Sequence, residues 1–353
     1  MKTKKILLLA SALLVTAAAS GATTPPAGGS TPDGRKMVMA HSHSDMTPEL
    51  IAALRKAIPQ YRAMTDMEIH MSMGGMGPDY QWNVSAPQRR GNVGVLVLTH
   101  GVGETGDRIF KRAIEPIGTK YPTSIGIGMA MTHSQPLQSS VDDLSKAGAR
   151  TIILVPPLVS KYNTIYRQWE YIFGWPAAAE YLSVPKVKTK VKLVMARTFD
   201  DSPLFTQMLL DHARELSKNP SREAVMIVAH GPEDYEDNGP DLAFLTAHAA
   251  KIKTHGGFAE VQAINLQDDA FKPIRAANVR KLRKMITDAQ ARGYDVLVVP
   301  AVIASFGLQA KLKQDLLGLK YRFQEKGVSE HPAFAKLLEQ RIQEETAKLA
   351  ASR

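Results

Sequence analysis

The sequence predicts an α/β fold with two parallel-sheet domains that arose by internal duplication. A short apolar run ends in His100-Gly101, and a similar run later in the chain ends in His230-Gly231. In each half, a glycine-containing turn then leads into another apolar run that ends in Val-Pro, at Pro156 and at Pro300. The same order of strand, helix, turn and strand appearing twice is typical of a duplication. Strands that alternate with helices of about ten residues indicate parallel βαβ units.

Composition limits the classes of protein that this chain can be. Its 353 residues are enough for two domains of ordinary size. It contains no cysteine, which excludes disulfides, thiolate metal sites and cysteine nucleophiles. A net charge of +10 favours an acidic ligand or an anionic surface. The lysines and arginines are scattered rather than clustered, so we expect no nucleic-acid partner.

Residues 1–22 have the pattern of a secretory signal peptide. Lys2, Lys4 and Lys5 precede an apolar stretch that is too short to span a bilayer comfortably, and small residues follow it at Ser20 and Ala22. We therefore expect an exported protein, located in the periplasm, with no stable membrane insertion once the signal is removed.

Residues 23–90 are predicted to form a linker and a segment rich in methionine and histidine. Eight of the 15 methionines fall between residues 37 and 76, and His41, His43 and His70 lie among them. Thioether and imidazole ligands together suit copper, especially Cu(I). Methionines also fill gaps in cores or cover hydrophobic surfaces, so both interpretations stay open. Thr47 and Pro48 predict the start of a helix that ends near Ile58.

The first repeat is predicted to span residues 91–217, and its apolar pattern alternates between strand and helix. Residues 93–99 are short, apolar and β-branched, as expected for a buried parallel strand. Later strands are predicted at residues 124–131, 150–156 and 191–197, and helices at 107–118, 137–147, within 158–173 and at 203–217.

The second repeat is predicted to span residues 220–326, after a boundary at Lys218-Asn219-Pro220. Its strands are predicted at residues 224–229, 260–265 and 295–301, and its helices at 240–254, 274–291 and 309–317. Residues 327–353 are predicted to contain a terminal helix whose alternating charges indicate a solvated face.

Together, these motifs resemble the sirohydrochlorin cobaltochelatases and ferrochelatases, the class II tetrapyrrole chelatases. The resemblance rests on the two His-Gly strand ends, the Pro136-Leu137 helix start and the Val-Pro strand ends, and covers about residues 92–326. It implies two flavodoxin-like lobes that face a cleft. It also implies insertion of a divalent metal, Co²⁺ or Fe²⁺, into a tetrapyrrole such as sirohydrochlorin, with the metal as substrate and no organic cofactor.

The resemblance also identifies candidate site residues. His100 matches the family's first active-site histidine, and His230 matches it in the second repeat, so we predict that both are catalytic and bind metal. His133 and Asp268 follow the second strand of each repeat and are predicted as further metal ligands. A neutral imidazole can hold the ion or accept a pyrrole proton. Acidic residues in the loops just after the two histidines offer further help: Glu104, Asp107, Glu233 and Asp234.

The sequence was also compared with the patterns of other functional classes. The loops that carry a second histidine in the family contain none here, at residues 161–164 and 306–308. The alternative is therefore a non-catalytic exported protein that binds metal or tetrapyrrole in the same cleft. Residues 101–106 fit the Gly-x-Gly-x-x-Gly spacing of dinucleotide-binding loops, but the acidic Glu104 suits a phosphate poorly. There is no Gly-x-Ser-x-Gly motif of a serine hydrolase. His212, His248 and His255 lie on or near helices and are not expected to bind metal.

Overall fold

The computed structural model describes residues 31, 34–39, 46–74, 79–101, 103–127, 132–175, 178–305 and 307–351. The predicted signal peptide, His41 and His43 lie outside the described residues. None of the helices in the described ranges has the length and apolar character needed to span a membrane.

The first β-sheet has six strands in the order β1-β2-β4-β3-β5-β6. The strands β3 to β6 pair in parallel, whereas β1 pairs with β2, and β2 with β4, in antiparallel fashion. The strands are β1 (Arg35–Met39), β2 (Asp79–Asn83), β3 (Val93–Thr99), β4 (Thr123–Ile127), β5 (Thr151–Val155) and β6 (Lys192–Met195).

The second β-sheet has four strands in the order β10-β9-β7-β8, and all of its pairings are parallel. This order matches β6-β5-β3-β4 of the first sheet, strand for strand. The predicted α/β fold with two parallel lobes is therefore confirmed, with two antiparallel strands added to the first. The matching order is what a duplication would leave, although the duplication itself stays a prediction. The strands are β7 (Glu223–Ala229), β8 (Glu260–Asn265), β9 (Asp295–Pro300) and β10 (Arg322–Phe323).

Ten α-helices accompany these strands in the described part of the chain. In order they are α1 (Pro48–Ala57), α2 (Asp66–Gly74), α3 (Glu104–Gly118), α4 (Gln135–Lys146), α5 (Thr164–Ile172), α6 (Pro203–Leu216), α7 (Tyr235–Gly256), α8 (Lys272–Ala291), α9 (Gly307–Asp315) and α10 (Ala333–Ala351).

The strands β1 and β2 lie within the stretch that we expected to be a linker and a Met/His-rich segment. They form strands because their side chains pack into the first lobe. Tyr80 and Trp82 are both buried and their rings meet edge to face at 5.4 Å. Gln81 is also buried, and it donates to the Asp143 carboxylate of α4 at 2.6 Å. A buried amide is tolerated here because it has a charged hydrogen-bond partner.

Two helices cross between the lobes and tie them together. The helix α6, which we assigned to the first repeat, packs against α7 and β9 of the second lobe. The helix α10 at the end of the chain packs against α3, β5 and α6. Its Phe334 ring lies 6.0 Å from Phe110 and 6.1 Å from Phe199. One hydrophobic core therefore runs through both sheets and holds the two lobes together.

Candidate metal centre

His100 and His230 directly follow β3 and β7, at the carboxyl ends of the two central strands. This edge of an open α/β sheet is where ligands bind. The glycine after each histidine has a left-handed backbone, with φ of 86° at Gly101 and 73° at Gly231. A Cβ at Gly231 would lie 2.6 Å from Cβ of Asn265, the last residue of β8. Only glycine allows the chain to turn away this close to the neighbouring strand.

A tight turn after β8 places two carboxylates beside His230. The backbone N–H of Asp268 donates to the His230 carbonyl at 3.1 Å. Gln267 has φ of 52°, which is uncommon for a residue other than glycine. Asn278 stabilises it by donating to the Gln267 side chain at 3.2 Å and to the Leu266 carbonyl at 3.1 Å. A strained residue held by its surroundings at a strand end is typical of a functional site.

His230 and Asp269 form a close pair. Nε2 of His230 lies 3.3 Å from Oδ2 of Asp269, and Nδ1 donates to the Gly231 carbonyl at 2.9 Å. Burial alone would lower the pKa of His230, but the charges of Asp269 and Asp268 raise this pKa to about 9. Burial would in turn raise the pKa of Asp269, yet His230 and then Lys311 lower it well below its usual range. Without an ion, the two therefore form an ion pair.

Asp268, the predicted ligand, is in a different environment. Its side chain is 3% exposed, and it accepts hydrogen bonds from Arg275 at 2.7 Å and from Lys311 at 2.6 Å. The potential ligand atoms of His230, Asp268 and Asp269 all lie within 4.8 Å of one another. Asp268 thus belongs to the cluster, but two cations already balance its charge. The sequence predicted Asp268, whereas the structure places the next residue, Asp269, against the imidazole.

His100 faces the same cleft from the first lobe. Burial is the main cause that lowers its pKa, although the residue is still exposed to solvent. The charges of Asp269 and His230, both on the second lobe, also act on it. His100 is therefore neutral at neutral pH and able to accept a proton.

His133 lies after β4, as predicted. Its Nδ1 is 3.3 Å from Oδ2 of Asp79 at the start of β2, and 2.8 Å from Oγ1 of Thr132. Asp79 is almost completely buried, so it fixes the orientation of the imidazole. The structure pairs His133 with these two residues, and its role as a ligand stays a prediction.

Among the four acidic residues suggested after the histidines, Glu233 is the one whose pKa responds to Asp269 and His230. Burial raises the pKa of Glu233 to about 7. The Tyr181 hydroxyl, from the other lobe, donates to its carboxylate. Sequence reasoning missed Tyr181, because it lies in an irregular segment with no motif. The other three acids have structural partners: Glu104 pairs with Arg108, Asp107 accepts from Tyr80 at 2.5 Å, and Asp234 caps α7.

This arrangement is suited to holding a divalent ion. Two ligands that each lie about 2.0–2.1 Å from a tetrahedral ion are about 3.3 Å apart. The distance between Nε2 of His230 and Oδ2 of Asp269 is 3.3 Å. The hydrogen bond from Nδ1 to Gly231 leaves Nε2 as the ring atom available to the ion, as is usual for metal-binding histidines.

Comparison with known proteins supports the fold. No protein-family model matches the sequence, and no curated protein matches it. Among solved structures, SirB from Bacillus subtilis with Fe³⁺ aligns with a TM-score of 0.52 and 14% identity, over 72% of this chain and 95% of SirB. The sirohydrochlorin chelatase SirB from Bacillus subtilis subspecies spizizenii, in complex with cobalt, aligns with a TM-score of 0.50 and 11% identity, over 72% and 95%. The fold of this chain is therefore that of the class II chelatases, as the sequence motifs predicted.

Proposed function

We propose that this protein inserts a divalent metal ion into a tetrapyrrole bound in the cleft between its lobes. The observation that carries the proposal is the His230–Asp269 pair of one lobe facing the neutral His100 of the other. The chelatase fold and the motifs of residues 92–326 support it. Co²⁺ and Fe²⁺ are the proposed ions, because the two SirB structures contain cobalt and iron.

The ion would bind to Nε2 of His230 and to the carboxylate of Asp269. A histidine must be neutral to bind a metal, so the ion would displace the proton that His230 shares with Asp269, and this proton would be released to solvent. The carboxylate then balances charge on the ion instead of on the imidazole. The nearby Asp268 remains paired with Arg275 and Lys311 and supports the turn.

Insertion also requires removal of the two pyrrole N–H protons. His100 is neutral at neutral pH and can accept one of them. Glu233 has a pKa of about 7, which is suited to accepting the other and releasing it to water. The hydrogen bond from Tyr181 holds the Glu233 carboxylate in place.

Positive charge at the cleft favours a macrocycle with several carboxylates. Lys311 is half-exposed and close enough to lower the pKa of Asp269. Lys272, at the exposed start of α8, lies two residues beyond the turn that carries Asp268 and Asp269. The net charge of +10, which becomes +7 once Lys2, Lys4 and Lys5 are removed with residues 1–22, attracts an anionic substrate over a longer range.

The test is to mix the purified protein with sirohydrochlorin and Co²⁺, Fe²⁺ or Ni²⁺ without oxygen, and to follow the absorption spectrum. We expect the spectrum of the metallated ring to develop faster than in the absence of protein. His100→Ala, His230→Ala and Asp269→Asn should remove this acceleration, and the exposed His255→Ala should retain it. Equal rates for the wild type and a folded His230→Ala, Asp269→Asn double variant would refute the proposal.

A second function, the carrier, is favoured by one observation. Residues 161–164 and 306–308 contain no histidine, although the family has a second one in that loop. On this alternative, the spectrum of sirohydrochlorin shifts on binding but the metallated product does not form. We further propose export to the periplasm. Cell fractionation and amino-terminal sequencing of the mature protein test it, with the expected start near residue 23.

A further inference from the structure

Helix α2 carries three side chains that soft metal ions prefer, next to one another. Met67, His70 and Met71 occupy positions i, i+3 and i+4, which are neighbours on a helix surface. Met67 is 69% exposed and Met71 is 70% exposed, while His70 is half-buried. Two long apolar side chains are therefore exposed to water, and Met67 neighbours both Met71 and His70 on the helix surface.

Packing does not explain these two methionines. Met64 and Met73, from the same segment, pack against a small core. The Tyr61 hydroxyl also donates to Sδ of Met73 at 3.5 Å. Methionine fills gaps in cores because it is flexible. Met64 and Met73 meet that description, whereas Met67 and Met71 point away from the core. That core consists of Ile51, Leu54, Ile58, Tyr61 and Ile69.

The helix that presents them is fixed at its start. The Thr65 N–H donates to Glu68 at 2.7 Å and the Glu68 N–H donates back to Thr65 at 3.3 Å, which is a capping box. Arg55 of α1 pairs with Asp66 at 2.5 Å. His70 and Met71 lie near the carboxyl end of α2, where the helix dipole favours a cation. The three side chains are thus held in one register.

We propose that Met67, His70 and Met71 bind one Cu(I) ion through two thioether sulfurs and one imidazole nitrogen. Thioether ligands select Cu(I) over harder divalent ions, and imidazole suits copper in either oxidation state. Among the described methionines of this segment, Met64 and Met73 pack against the core, whereas Met67 and Met71 are exposed. These three residues, Met67, His70 and Met71, are distinct from those of the His230–Asp269 centre, and the proposal does not rest on the chelatase function.

The test uses the full chain and Cu(I), kept reduced with ascorbate under nitrogen, in competition with a coloured Cu(I) chelator. We expect the Met67→Leu, Met71→Leu double variant to raise the Kd by about 100-fold, and His70→Ala to raise it by about tenfold or more. Leucine is close in volume to methionine, so the fold is preserved. Point variants are needed, because removing residues 23–90 would also remove β1 and β2.

The matched controls are Met64→Leu, Met73→Leu and His255→Ala, which should leave the Kd unchanged. Ag(I), which resembles Cu(I) and does not oxidise, provides a second readout. In a protein with ¹³C-labelled methionine methyl groups, Ag(I) should shift the resonances of Met67 and Met71. Unchanged Cu(I) affinity in the folded double variant, or Ag(I) shifts confined to other methionines, would overturn the proposal.

Discussion

Gly231→Ala is the substitution that best tests how the site is built. Gly231 has φ of 73°, and a methyl group there would lie 2.6 Å from Cβ of Asn265 and 3.2 Å from the backbone nitrogen of Gln267. The left-handed conformation costs about 1–2 kcal/mol for alanine. The contact adds about 1–3 kcal/mol, the usual effect of overpacking, because it is far inside the normal carbon separation of about 3.5–4.0 Å.

Gly148→Ala is a matched control, because Gly148 has φ of 93° and nothing within 4 Å of an added Cβ. Urea unfolding measures both variants, with the slope of the transition compared to exclude a change in the unfolded state. We expect the free energy of unfolding to fall by about 1–2 kcal/mol for the control. For Gly231→Ala the expected fall is about 2–5 kcal/mol.

The same contact has a consequence for metal binding. Asn265 leads directly into the turn that carries Asp268 and Asp269, so a displaced Asn265 moves Asp269 away from His230. We therefore expect weaker divalent-metal binding in Gly231→Ala, measured by titration calorimetry, and unchanged binding in Gly148→Ala. Equal loss of stability in the two variants would show that the close approach to β8 does not matter, and the reasoning would be wrong.

Two further predictions concern protons. His212 is 1% exposed, and burial lowers its pKa from 6.5 to about 4, so the unfolded state binds its proton first as the pH falls. The stability gained by keeping His212 neutral is present above pH 6.5, and the free energy of unfolding should decrease by about 3 kcal/mol as the pH falls towards 4. Urea unfolding at several pH values measures this decrease, and His212→Leu should lack it. Tyr181→Phe removes a hydrogen bond that lowers the pKa of Glu233, so this pKa should rise above about 7. The acidic limb of the insertion rate should move to higher pH, and an unmoved limb would exclude Glu233 as the proton acceptor.

The repeated strands could be predicted because their apolar sequences match their buried positions in the sheets. The strands β3 and β7 are buried on both faces, so each is a continuous apolar run, and the histidine that follows must lie at the ligand-binding edge. The strand β2 could not be found in this way. The side chain of its buried Gln81 donates a hydrogen bond to Asp143, so a polar residue occupies a buried position. In so short a strand, one such residue removes the apolar pattern by which a buried strand is recognised.

A proline does not always mark the first turn of a helix. The sequence predicts a helix that begins at Pro240, but α7 begins at Tyr235, with Asp234 as its cap and Pro240 inside it. The sequence also could not identify which carboxylate faces His230. The choice between Asp268 and Asp269 depends on the left-handed turn at Gln267 and on Arg275, which lies on another element. Neither the turn nor the partner can be read from the local pattern.

The crossing of α10 sets the order in which the protein can fold. The first lobe needs Phe334 against Phe110 and Phe199, and Arg341 donating to the carbonyls of Thr198 and Phe199 at 2.9 and 2.8 Å. These residues follow the second lobe in the sequence, so they are synthesised after it. The first lobe therefore cannot complete its core until the second lobe and α10 have been synthesised. Until then, Phe110 and Phe199 lack the Phe334 ring that packs against them.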